Sequence, residues 1–228
     1  MNEQRLHIGC GTKIIDGFVN MDVDDAIPDV DVHGSIQDLA RFADGQFREI
    51  YLSHTLEHIP YGEVSAVLRE LNRICAPAGV VRISVPDLDR ICRLYVEHLD
   101  WFAPPHSPWL GLIYGGQANE YDFHKGGFNF RYLEGLLVEA GFTSVTEVSP
   151  TEEYGIRDAS FANRPFGPVS LNVTAVRSPA GTTVPRFRHT WFERALIVAE
   201  RCLDGGLQTV VRARLALIRR RRRANRLD

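Results

Sequence analysis

The chain has 228 residues, 44% of them hydrophobic and 24% charged, with a formal net charge of −3. That composition is globular and suffices for one sizeable α/β domain with an appendage. No run approaches the roughly 18 apolar residues that a membrane-spanning helix needs, and the opening MNEQRLHIG is too polar to read as a secretory leader.

The charge is unevenly spread. Residues 1–185 hold 14 Lys+Arg against 25 Asp+Glu, whereas residues 186–228 hold 12 Arg against 4 acids. An acidic body with a basic carboxyl-terminal segment is the pattern of a domain with an interaction tail. The four cysteines, Cys10, Cys75, Cys92 and Cys202, form no C-x-x-C pair. Free thiols in a reducing cytoplasm are the expectation.

In chain order, Arg5–Ile8 reads as a short buried strand ending at Gly9, and Phe18–Asp22 as a second. Asp29–His33, with alternating valines, reads as a third and Phe47–Ser53 as a fourth. Between Glu63 and Cys75 the spacing becomes helical: Val64, Val67, Leu68, Leu71 and Ile74 share one face. Pro77 and Gly79 are read as ending that helix, and Val80–Val85 as a β-branched strand stopped by Pro86. Arg131–Ala140 predicts a second amphipathic helix with Gly141 as its cap, and Ser144–Val148 and Leu171–Val176 two late strands. Strands alternating with helices argue for a largely parallel sheet covered on both faces. The aromatic, Gly- and Pro-rich stretch at residues 98–130 fits neither element and is expected to cover an acceptor site.

The stretch LHIGCGTKIIDGFVNMD sets a glycine turn after the first strand and an acid, Asp22, at the end of the second. A ligand in a doubly wound sheet lies beyond those strand ends, where glycine lets the backbone come close and an acid can hold ribose hydroxyls. A dinucleotide fingerprint requires a third glycine where Ile14 stands, and an acid about 20 residues on. The features present suit an adenosyl ligand without a pyrophosphate.

With "LHIGCGTK" and "VNMD", the segment "SHTLEHIPYGEVSAVLRELNRICAPAGVVRISVPD" resembles the class I S-adenosylmethionine-dependent methyltransferases. It is closest to a small bacterial branch encoded among polysaccharide and lipopolysaccharide biosynthesis functions. The resemblance spans roughly residues 5–176 and includes a shortened first helix. It implies a Rossmann-like α/β fold, a mostly parallel sheet with a late antiparallel strand, and S-adenosylmethionine as cofactor.

By position, it implies that the Gly9-Cys10-Gly11 turn passes beneath the methionyl part, that Asp22 holds the ribose, and that Ser35 and Ile36 lie against adenine. Ser53 and His54 would stand beside the methyl group. Ser35 replaces the acid usual in the family, which leaves a backbone amide or Asp38 for the adenine. The Asn-Pro-Pro-Tyr signature of many amide and base N-methyltransferases is Ser-His-Thr-Leu here, which argues against nucleic-acid bases as acceptors.

A sugar hydroxyl is a weak nucleophile, so its methylation gains from a general base, for which histidine suits neutral pH. His124, amid Tyr121, Phe123, Phe128 and Phe130, and His54 are the candidate bases, whereas His58 reads as a structural residue at a helix start. Asp87, Tyr121, Lys125 and Arg157 are candidate acceptor contacts, although Asp87 in "PDLD" also reads as a helix start. The acids Asp22, Asp24, Asp25, Asp29 and Asp31, or Asp87 and Asp89, could recruit a hard cation, but they read first as solvated strand ends and a helix start, and without a clear His/Asp/Asp geometry no metal is assigned.

The expected organisation is a methyltransferase domain over residues 1–178 and a basic amphipathic helical tail over 179–228. The tail's apolar ridge, Leu207, Val210, Val211, Leu215 and Ile218, is followed by Arg219–Arg223. Such a segment suits the anionic inner face of the plasma membrane; a partner-docking helix, nonspecific nucleic-acid contact, or packing on the body or on a second copy in a homodimer are the other readings. The expected activity is O-methylation of a sugar or glycan intermediate, lipid-linked or free. Methylation of a small-molecule hydroxyl or carboxyl, or a non-catalytic adapter in glycan assembly, are the alternatives.

Overall fold

The computed structural model describes residues 4–98, 108–149 and 168–179. Seven strands form one sheet: β1 (Arg5–Ile8), β2 (Val19–Asp22), β3 (Val32–His33), β4 (Phe47–Ser53), β5 (Cys75–Pro86), β6 (Phe142–Glu147) and β7 (Ser170–Arg177). Their spatial order is β3-β2-β1-β4-β5-β7-β6. The first five run parallel, and β7 is inserted antiparallel between β5 and β6. The expected mostly parallel sheet with a late antiparallel strand is therefore the fold observed.

Strand β1 pairs with β2 on one side and β4 on the other. Successive strands step away from it in opposite directions, so a crevice opens at the carboxyl ends of β1, β2 and β4. Being central, β1 is covered on both faces, and Leu6, His7 and Ile8 are all buried.

Helix α1 (Val64–Ile74) buries the five apolar residues of its stripe. Each such side chain contributes about 1.5–3 kcal/mol on leaving water. Helix α4 (Phe130–Ala140) packs beside it and buries Leu133 and Leu137. Its ends are set by sequence: the Asn129 side chain accepts from the Tyr132 N–H, and Gly141 closes the last turn at φ 103°. Helix α2 (Leu88–Glu97) starts at Asp87, whose carboxylate caps the Arg90 N–H, so "PDLD" is a helix start. A short helix α3 (Pro108–Tyr114) lies within the stretch that showed no regular pattern in sequence.

Two strands differ from expectation. Only Val32–His33 of the Asp29–His33 segment pairs with β2. Asp29 adopts φ 62°, which takes it out of an extended strand, and Asp31 bonds Asn20 through its own N–H at 3.0 Å and, at 2.8 Å, through its carboxylate, which accepts from the Asn20 N–H where a ladder carbonyl would. Strand β5 begins at Cys75, directly after α1, rather than at Val80. Its register against β4 shifts between Phe47 and Glu49, and this irregularity accommodates Pro77, which has no N–H to pair.

Candidate active site

Gly9 and Gly11 follow β1 with φ of 67° and 52°, a left-handed backbone that favours glycine. The Gly9 and Cys10 N–H groups both bond the Met21 carbonyl, at 2.8 and 3.2 Å, which ties the turn to β2. A Cβ on Gly9 would collide with the Thr55 side chain, whose hydroxyl donates to the Ile8 carbonyl at 3.2 Å. The turn therefore sits against the segment that follows β4.

At the end of β2, Asp22 is 8% exposed. One carboxylate oxygen accepts from the Gly11 N–H at 2.7 Å, and the other from the Asp24 N–H at 3.0 Å. Each oxygen keeps a lone-pair direction free of these bonds, as a ribose diol would need.

The ten residues between Gly11 and Asp22 form no helix. The buried Asn20 side chain holds them instead: its oxygen accepts from the Ile15 N–H at 2.9 Å and its NH₂ group donates to the Ile15 and Phe18 carbonyls. No helix begins at the turn, so the usual pyrophosphate cradle does not form there.

The turn and Asp22 open onto a cavity of about 490 Å³, within the range of sites for small ligands and cofactors. Gly34, Ser35, Ile36 and Gln37 after β3, with Ile27, form its far wall. The Ser35 hydroxyl is engaged locally, accepting from the Gln37 N–H at 3.1 Å, and Asp38 is not on that wall. Cys10 and Ser53, both expected in the site, also lie off it: Cys10 is buried, and burial pushes its thiol up to about 11, while Ser53 pairs with Ser84 in the sheet.

The remaining wall comes from two segments. His54, Thr55, His58 and Ile59 follow β4, and Asn119, Glu120, Tyr121, Asp122 and Lys125 come from the aromatic stretch. That stretch turns back on itself, with the Gln117 N–H bonding the Asp122 carbonyl at 2.9 Å and the His124 N–H bonding the Tyr114 carbonyl at 3.0 Å. The N–H groups of Lys125 and Gly126 then bond the Glu57 carbonyl at 2.8 and 3.0 Å, which ties the turn to the cavity. Neighbouring acids, Glu120 first, raise the Tyr121 phenol above its ordinary value.

The centre of this wall is Glu57, 1% exposed in a short 3-10 turn (Leu56–His58). Neither of its carboxylate oxygens has a hydrogen-bond partner. Three imidazoles surround it. His54 Nδ1 stands 3.2 Å from one oxygen, off hydrogen-bond alignment, while its Nε2 meets the Ser170 hydroxyl at 2.9 Å. His124 Nε2 lies 4.0 Å from the same oxygen, and the His58 and His124 rings meet edge to face at 5.0 Å. Burial holds the His124 imidazole below its ordinary value of 6.5, against the opposing pull of Glu57.

The structure thus gathers Gly9, Gly11, Asp22, Ser35, Ile36, His54, Tyr121 and Lys125 on one cavity, with His124 one ring removed behind His58. Asp87 is occupied as a helix cap, and Arg157 lies outside the described residues. Sequence reasoning passed over Glu57, although "HTLEH" places His54, Glu57 and His58 one turn apart, a spacing that brings side chains together.

Comparison with known proteins accords with this geometry. Residues 15–83 match the family model described as a methyltransferase domain. A sequence search of the curated proteins finds no match. Among solved structures, a SAM-dependent methyltransferase from Archaeoglobus fulgidus is similar at TM-score 0.50 and 17% identity, over 77% of this chain and 86% of that one. The CurJ carbon methyltransferase is similar at TM-score 0.50 and 14% identity, over 78% of this chain and 49% of that one. The chain has the Rossmann-like fold of the class I methyltransferases, and the methyltransferase-domain match over residues 15–83 supports S-adenosylmethionine as its cofactor.

Proposed function

We propose that the chain is an O-methyltransferase whose acceptor is a hydroxyl of a sugar or glycan intermediate. The observation that carries this reading is the wall facing the glycine turn, where an imidazole beside a buried carboxylate meets Asn119, Glu120 and Tyr121. Polar groups suited to several hydroxyls, next to an exposed aromatic ring, are what a carbohydrate needs from a site. When bound, S-adenosylmethionine supplies a methyl group on a sulfonium, already activated for displacement.

The protein's part is to bind, to orient and to move one proton. Asp22 holds the ribose, the Gly9–Gly11 turn passes beneath the methionyl part, and Ser35 and Ile36 flank the base. Tyr121 and Lys125 fix the acceptor. His54 takes the hydroxyl proton, and the Glu57 charge 3.2 Å from its Nδ1 stabilises the imidazolium that forms. His124, the other base candidate, stands one ring behind and supports the same carboxylate.

Among the described residues no helix is long and apolar enough to cross a membrane. We assign the basic tail a peripheral role at the inner face of the plasma membrane, where lipid-linked acceptors would be met.

Calorimetry should show S-adenosylmethionine binding that Asp22→Ala weakens at least about 100-fold, two hydrogen-bonded hydroxyls being lost from a charged acceptor. Incubation with methyl-labelled cofactor and a glycan-intermediate fraction should leave label on carbohydrate that resists mild alkali, as an ether does. Label released as methanol would mean a carboxyl acceptor and overturn the hydroxyl assignment.

A further inference from the structure

Glu57, His58 and His124 offer one ligand atom each, all within 4.8 Å of one another, and form the only such group among the described residues. We infer that these three residues bind a divalent first-row transition ion, zinc being the simplest occupant, at the acceptor wall of the cavity.

Glu57 is almost fully buried, yet neither oxygen accepts a hydrogen bond. A buried carboxylate left so is costly unless a cation meets it. Among the described residues no lysine or arginine forms an ion pair with it; the groups that do approach it are imidazoles.

His58 Nδ1 lies 3.1 Å from the Phe123 carbonyl. A carbonyl only accepts, so Nδ1 carries the proton and Nε2 keeps its lone pair. The His124 Nε2 is turned towards the same carboxylate, 4.0 Å from a Glu57 oxygen. A backbone carbonyl that fixes one nitrogen of His58 and leaves the other its lone pair is the arrangement found around metal-binding histidines. His54, with Nδ1 3.2 Å from the carboxylate, stands outside the ligand set and beside it.

Two imidazoles and one carboxylate suit zinc and its neighbours, whereas calcium and magnesium prefer oxygen alone. Three protein ligands leave a position open. His58 and Lys125 both line the cavity, so that position is available to an acceptor oxygen. The inference rests on the reading of this wall as the acceptor side and adds to it a Lewis-acid partner for a hydroxyl.

Cobalt(II) is the probe, added to the full chain after metal has been stripped with a chelator. One equivalent should give the visible absorption of four- or five-coordinate cobalt, which excess magnesium leaves in place and zinc displaces. Glu57→Gln, His58→Ala and His124→Ala should each weaken binding at least about 100-fold, and His54→Ala by about 10–100-fold, as for outer partners of a ligand. Asp22→Ala should lose the cofactor and keep the cobalt spectrum, which separates failure of the methyltransferase reading from failure of this one. No absorption at one equivalent in the wild-type chain, or a spectrum that survives all three ligand substitutions, overturns the inference, and the wild-type result stands even where a variant fails to fold.

Discussion

Asp22 shows how much a single residue can disclose before its surroundings are known. An acid ending the second strand, a short distance after a glycine turn, has few uses in a doubly wound sheet, and its two backbone N–H bonds and its place on the cavity accord with that reading. Glu57 discloses nothing comparable, because a glutamate inside "HTLEH" reads as one more polar helix residue until the fold buries it. His7 is similar: in "RLHI" it reads as one residue of a short buried strand, and only the fold shows it 2% exposed in a central strand and bonded to Asn20. Burial lowers its imidazole from the ordinary 6.5 to about 4. Between those values the unfolded chain binds the proton and the folded one does not. Stability is therefore full above pH 6.5 and falls as pH drops towards 4, by roughly 3 kcal/mol in all. Denaturant unfolding followed across that window should show the slope, and His7→Gln should flatten it.

The elements were legible where one force dominates. Helix α1 follows from its apolar spacing alone, and its observed span, Val64–Ile74, falls within the expected one. Strand β5 was cut short in the reading because Pro77 and Gly79 look like punctuation; the register shift against β4 that tolerates them is a property of the pair, not of either sequence. The missing helix between β1 and β2 has the same origin, since the buried amide of Asn20 satisfies the backbone that a helix would otherwise have satisfied. Asn129 illustrates a local signal with a longer reach. Its oxygen caps α4 through the Tyr132 N–H at 2.9 Å, and its nitrogen donates to Asp89 at the start of α2, at 3.1 Å. Asn129→Ala should cost about 1 kcal/mol, the usual worth of a cap, and lower the melting temperature by about 2–4 °C for a chain of this size. Because Asn129 lies off the cavity, calorimetric affinity for S-adenosylmethionine should stay unchanged.

At the scale of the whole molecule, the charge division separates two kinds of work. The body presents acids around its cavity, among them Asp24, Glu120 and Asp122, whereas residues 186–228 carry 12 arginines, five of them consecutive at Arg219–Arg223. An anionic lipid surface attracts about 1 kcal/mol per basic residue held near it, so five adjacent arginines dominate any such attraction. The apolar ridge from Leu207 to Ile218 would add burial that salt does not screen. The full chain should therefore co-sediment with vesicles rich in acidic lipid, and less so as salt shortens the screening length from about 10 Å at 0.1 M. Changing all five arginines to glutamine should weaken partitioning at least about 100-fold while leaving cofactor affinity intact, because Asp22 and the glycine turn belong to the body. Equal sedimentation of the two chains, or sedimentation indifferent to salt, would remove the membrane from the tail's role and leave its apolar ridge to a protein surface.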